Sequence, residues 1–109
     1  MTEEMKVPNP TADNPFSGLD PLIHAPARLN IITNLYVVES ADFIFLRNLT
    51  GLTWGNLSAH VSKLQEAGYL EVEKSIVNKK THSVARMTGA GREAFDAYKQ
   101  KMMEVLGKN

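Results

Sequence analysis

Between Leu52 and Tyr69, the residues Gly55, Asn56, Ala59, Ser62 and Lys63 recur at helical spacing, so a helix there gathers them on one face. All of them are small, hydrogen-bonding or basic. An asparagine amide can pair in a bidentate way with adenine N6 and N7, a hydroxyl serves a base edge or a phosphate, and an ammonium meets a phosphate. Small side chains also let the helix backbone come close to a partner. The other face carries Leu57, Val61 and Leu64 at i, i+4 and i+7, the stripe by which such a helix is buried. Thr53 is placed to cap the first turn, and Gly68 to end the last in a left-handed conformation. The pattern predicts a helix over about residues 53–67 that fits the major groove of double-stranded DNA.

Within that helix, Asn56 lies in the first turn, where base contacts arise, although a solvated polar residue is the simpler reading. Ser58 and Ser62 are candidates for phosphate or base, against ordinary small surface residues. His60 borders the apolar stripe, so a packed imidazole competes with a DNA contact. Lys63, a turn further on, is assigned to phosphate, and Thr53 and Ala59 complete the reading surface. Trp54 lies off the centre of the stripe and is expected to pack, partly buried.

Other chemistry finds little support. His24, His60 and His82 fall in three separate elements, with no HxxxH pair and no carboxylates at ligand spacing. No nucleophile turn or glycine-rich phosphate cradle frames a Ser-His-Asp site. The absence of cysteine excludes disulfides, thiolate metal sites and cysteine nucleophiles. Neither catalysis, a metal nor a cofactor is expected.

The 109 residues fit one domain with a modest core. No apolar run approaches a membrane span, and Met-Thr-Glu-Glu-Met-Lys lacks the features of a signal peptide, so a cytoplasmic protein is expected. The net charge is zero, but it is unevenly placed. Met1 to Leu46 hold two bases against six acids, net −4. Arg47 to Arg92 hold seven against three, net +4, and this segment contains the candidate reading helix. Four net charges are modest, so affinity is expected to lean on dimerisation.

These groups must be positioned by the elements around them. Residues 1–18, with Pro8, Pro10 and Pro15, read as a flexible arm. Pro21 to His24 form a short helical turn, and Pro26 opens a helix with apolar Leu29, Ile32, Leu35, Tyr36 and Val38. Asp42 caps a shorter helix, Phe43 to Thr50. Gly51-Leu52 then turns into the reading helix, giving a helix-turn-helix. Beyond Gly68 the period changes to two. Leu70, Val72 and Ile76 alternate with polar residues, and Ser83, Ala85 and Met87 face inward on a second strand. The turn at about 77–81 holds Lys79 and Lys80, candidates for phosphate or minor-groove contact, which His82 and Arg86 on the outer face would extend. Thr88 caps a last helix with Ala94, Phe95, Tyr98, Met102, Val105 and Leu106. The whole is mostly α with a small β-hairpin, a winged helix-turn-helix over residues 19–109.

The runs Leu19–Leu29, Leu52–His60, Lys63–Tyr69 and Met87–Arg92 resemble small winged-helix transcriptional regulators of the MarR and ArsR groups, over about residues 19–106. The resemblance implies a homodimeric regulator that binds double-stranded DNA, paired through its first and last helices. The seam would be Leu22, Ile23, Leu29, Ile32 and Tyr36 with Tyr98, Met102, Val105 and Leu106. Related regulators often hold a small-molecule effector between the dimer and DNA-binding parts, and no residue here identifies one. The position of Trp54 is often polar in such proteins, so its role is not carried over. The alternative is a winged helix that binds protein without reading DNA, a reading supported by the zero net charge and by Trp54.

Overall fold

The computed structural model describes residues 16–107, in the order α1 (Pro26–Val38), β1 (Ser40–Asp42), α2 (Phe43–Thr50), α3 (Trp54–Glu66), β2 (Leu70–Val77), β3 (Lys80–Met87) and α4 (Gly89–Leu106). Three helix starts are set by neighbouring side chains. Asp42 accepts from Phe45 N at 2.8 Å, Thr53 from Asn56 N at 3.1 Å and Thr88 from Gly91 N at 2.9 Å, each serving an amide that the helix leaves unpaired. Pro26 occupies the first turn of α1, where a missing N–H costs nothing.

Gly68, at φ +83°, ends α3. Tyr69 N donates to Leu64 O and Gly68 N to Gln65 O, both at 2.9 Å, the paired closure that turns the chain sharply into β2. Gly51, at φ +72°, likewise ends α2, and three residues then separate α2 from α3.

The predicted hairpin is present, and it belongs to a three-stranded antiparallel sheet of order β1-β3-β2. Ser40 to Asp42, the link between α1 and α2, form its third strand. They pair with Arg86 to Val84, because β3 offers them an open edge. Leu70, Ala85 and Met87 are buried on the face toward the helices, and Ser83 is half-buried there. Ile76, read as inward, is 76% exposed, because the outer half of the hairpin extends beyond the helices that would cover it.

The core joins Leu19, Ile23, Ile31, Ile32, Leu35, Leu46, Leu57, Val61, Leu64, Leu70, Ala85, Met87, Phe95 and Tyr98. α1 runs through its middle, with neighbours in every other helix and in β1 and β3. This explains why both Ile31 and Ile32 are buried. Three residues assigned to a seam between copies are thereby corrected. Ile23, Ile32 and Tyr98 are enclosed by their own chain and offer a second copy no surface. Tyr36 is also engaged internally: its hydroxyl donates to Asp96 at 2.5 Å, and Arg92 lies 4.5 Å over its ring.

Residues 1–15 of the expected arm lie outside the described residues. Its last part, 16–18, forms a turn rather than a free strand of chain. Phe16 stacks on His24, and His24 Nδ1 lies 2.8 Å from the Tyr98 hydroxyl. Asp20 follows, accepting from the Tyr69 hydroxyl at 2.5 Å, and this bond to a carboxylate pushes the phenol up to about 12. The segment before α1 is thus tied both to α4 and to the exit of α3.

Candidate nucleic-acid interface

Leu57, Val61 and Leu64 seat α3 on the core, and that burial fixes what the helix presents to solvent. Gly55, Asn56, Ser58, Ala59, Ser62 and Lys63 are all exposed, so the sequence-assigned reading face is brought together on one surface. Thr53 is exposed beside it, but its hydroxyl is engaged as the cap. An alanine methyl at Gly55 would meet nothing within 4 Å. Glycine in a helix costs roughly 0.5–1 kcal/mol relative to alanine. Nothing within the described residues requires that cost.

Two flanks bound this face. On one side stands the hairpin. Val77 pairs with Lys80, leaving a two-residue turn, Asn78-Lys79, with φ of +52° and +65°. Turns of this kind match the strand twist, and they favour glycine at the second position. Lys79 occupies that position, and Lys80 follows as the first residue of β3, both exposed at the tip. Between α3 and the hairpin lies a cleft of about 310 Å³, lined by Ser58, Ser62, Gln65, Lys74 and Ser83 over Phe43, Val61 and Val72. Gln65 and Lys74 were not singled out in the sequence. The alternation of β2 places Lys74 on the same side as Leu70 and Val72, a signal that could have found it.

On the other flank is His60, half-buried. Arg28 bridges it to the segment before α1: Nε donates to Leu22 O at 2.6 Å, and Nη1 lies 3.2 Å from His60 Nδ1. A guanidinium has no acceptor, so Nδ1 must accept, and the imidazole is the neutral tautomer with its proton on Nε2. Burial holds the pKa of His60 below its usual value, and the charges of Arg28 and Lys63 lower it further. A base whose folded pKa is depressed binds fewer protons folded than unfolded. The stability it contributes is complete above the unfolded value near 6.5 and is lost as pH falls through the folded one. Thermal melts between pH 7.5 and 5 should therefore show wild type losing more stability below about pH 6.5 than His60→Gln does. Parallel curves would remove His60 as the source.

Trp54 is 48% exposed at the start of α3, less buried than expected, with the Arg47 guanidinium 4.8 Å from its ring. Arg47, a further cation next to the reading helix, was counted in the sequence only as charge. His82 is half-buried in a groove of about 200 Å³ with Asp42, Ile44 and Trp54. Arg86 does not join it. It turns across the hairpin toward Glu73 at 3.4 Å, beside Glu71, its partner across the strands, so the contact expected to run on from His82 to Arg86 is divided.

Among the described residues, no group of three or more histidines, aspartates and glutamates stands close enough to hold a metal ion. No described helix is long and apolar enough to cross a membrane.

A helix-turn-helix whose second helix presents a small polar face beside a lysine-tipped hairpin defines a class. The chain belongs to the winged helix DNA-binding domain family, which it matches over residues 27–106. It is 33% identical over 88 residues to an uncharacterized protein of Methanocaldococcus jannaschii, covering 81% of this chain and 95% of that one. Its fold is similar to that of the transcriptional regulator homologue protein from Pyrococcus horikoshii OT3, with a TM-score of 0.74 and 26% identity over 79% of this chain and 85% of that one. It is also similar to NadR in complex with 4-hydroxyphenylacetate, with a TM-score of 0.65 and coverage of 85% and 68%. At 18% identity this second likeness concerns the fold alone. The fold and family class that the resemblance in the sequence implied, a winged helix of a DNA-binding family, therefore hold.

Proposed function

We propose that the protein is a homodimeric transcriptional regulator that reads double-stranded DNA, with α3 in the major groove and the β2–β3 turn on the backbone or in the minor groove, and without catalysis. The observation that carries this reading is the exposed face of α3. Gly55, Asn56 and Ala59 stand there with only small side chains, beside the Lys63 ammonium, and the space above Gly55 is open. Such a face admits a close partner, and Lys63 on it, with Lys79 and Lys80 at the hairpin tip, suits phosphate. Asn56 is the assigned base reader, and Ser58, Ser62 and Lys63 support it. Dimerisation draws on what remains of the predicted seam. Of that seam, Leu106 is 65% exposed near the end of α4 and Met102 and Val105 are half-buried beside it, and Met103, which the seam did not include, is 68% exposed next to them. Leu22 and Leu29, also half-buried, complete the available set.

The test is a mobility-shift titration on duplexes selected from a random pool, at low and high salt, with light scattering for the mass. Steep salt dependence and a dimer mass are expected. Asn56→Ala should cost about 1–3 kcal/mol on the selected site and little on random DNA. Equal losses on both would move base reading to Ser58 or His60. Binding that ignores salt would favour the protein-interaction alternative.

A further inference from the structure

We propose that the cleft between α3 and the hairpin is a seat for a DNA backbone phosphate, with Lys74 as its cation. The inference rests on the DNA-binding reading and extends it to Lys74, Gln65 and Ser83, which that reading does not use. If α3 lies in a major groove and the hairpin tip reaches the adjacent minor groove, one sugar-phosphate strand separates the two grooves. That strand has to cross the cleft between the two protein elements.

The lining suits that passenger. Ser58 and Ser62 from α3, Ser83 from β3 and Gln65 supply hydroxyl and amide donors, and Lys74 supplies an ammonium. No carboxylate lines the cleft. The hairpin register explains the sorting of charge. Lys74 pairs with Ser83 and Val72 with buried Ala85, so these residues share the side toward α3. Glu71 and Glu73 alternate to the opposite side, where Glu73 takes up Arg86. Among the described residues no carboxylate neutralises Lys74, which stays exposed on the inner side. At about 310 Å³ the cleft is many times the roughly 30 Å³ that a water molecule occupies in the liquid, which leaves room for a phosphodiester. A contact of this kind fixes the register of the protein on the duplex and carries no sequence code.

The experiment compares the full chain with Lys74→Gln, Lys74→Arg and, as an outer-face control, Glu73→Gln, by fluorescence anisotropy on a labelled random-sequence duplex over a series of potassium chloride concentrations. Lys74→Gln is expected to flatten the slope of log K against log salt by about 0.9 per protomer, which is about eightfold in affinity per site at about 0.1 M salt. The loss should be equal on selected and random duplexes. Lys74→Arg should keep the wild-type slope, and Glu73→Gln should not flatten it. Because Lys74 is exposed, thermal melts of all three variants should match wild type. A Lys74→Gln slope equal to that of a steeply salt-dependent wild type overturns the seat while leaving the DNA reading intact. A loss confined to the selected duplex also overturns it, since that marks a base reader. A wild type with no salt-dependent binding overturns the DNA reading itself, so the two failures are distinguishable.

Discussion

With Lys79 and Lys80 both changed to alanine, binding to every duplex should weaken by the same factor, and the salt slope should flatten by up to about two units per protomer. Both lysines are exposed at the hairpin tip, and neither is tied to a carboxylate among the described residues. The turn backbone gives a sharper version of the experiment. Lys79 holds φ +65° in a two-residue turn, a left-handed conformation that glycine adopts without strain. Lys79→Gly removes the cation and relieves the backbone together. Folding stability should stay level or rise by about 1 kcal/mol, the left-handed cost of a Cβ less the extra chain entropy of glycine, while affinity for DNA falls. Opposite movements of these two quantities would identify a lysine kept at the tip for its charge at the expense of the fold. A salt slope unmoved by the double change would mean that the hairpin tip does not touch phosphate, and its placement on DNA would have to be abandoned.

Gly91→Ala should destabilise the protein by about 3 kcal/mol or more, at the upper end of what overpacking costs. Gly91 is buried in the first turn of α4. An added methyl would fall onto the carbonyl oxygen of Tyr69 and lie 2.9 Å from Met87 Sδ. Neither side can yield cheaply. The Tyr69 carbonyl accepts from Thr88 N at 3.1 Å, and the Thr88 hydroxyl donates to Gly68 O at 2.6 Å, so the start of α4 is fastened to the end of α3. Moving α4 aside would also break the Thr88 cap, which accepts from Gly91 N. Urea unfolding monitored by circular dichroism reads the change, with an unaltered m-value showing that the native fold is what was weakened. A loss below about 1 kcal/mol would show that the α3–α4 junction is far more pliant than its hydrogen bonds imply.

What the sequence determined by itself is what a few neighbouring residues can decide. Asp42, Thr53 and Thr88 cap helices through bonds to amides three residues on, and Gly68 closes α3 with bonds reaching back no further than Leu64. Such contacts hold wherever the segment lies, so composition and spacing suffice. The same is true of the two faces of α3 and of the alternation along β2 and β3, because both follow from backbone period. From these, the helix-turn-helix, the hairpin and the small polar face could all be read in advance.

The tertiary structure decided everything that depends on which distant surface meets a given face. Ser40 to Asp42 are too short to show a period and become a strand only because β3 lies alongside. Periodicity marked Ile23, Ile32 and Tyr98 as apolar, but an apolar stripe does not reveal whether its own chain or a second copy will cover it, and here its own chain does. His60 stood undecided at the edge of a stripe until Arg28, 32 positions away, settled its tautomer and joined α3 to α1. Alternation puts Lys74 on the side of Leu70 and Val72 and Glu73 on the other, but only the packing of β2 against α3 makes that side the wall of a cleft. Local sequence fixes which residues share a face. Which partner that face meets is settled by burial of apolar surface over the whole chain, and for this reason the reading helix was legible in advance and the cleft beside it was not.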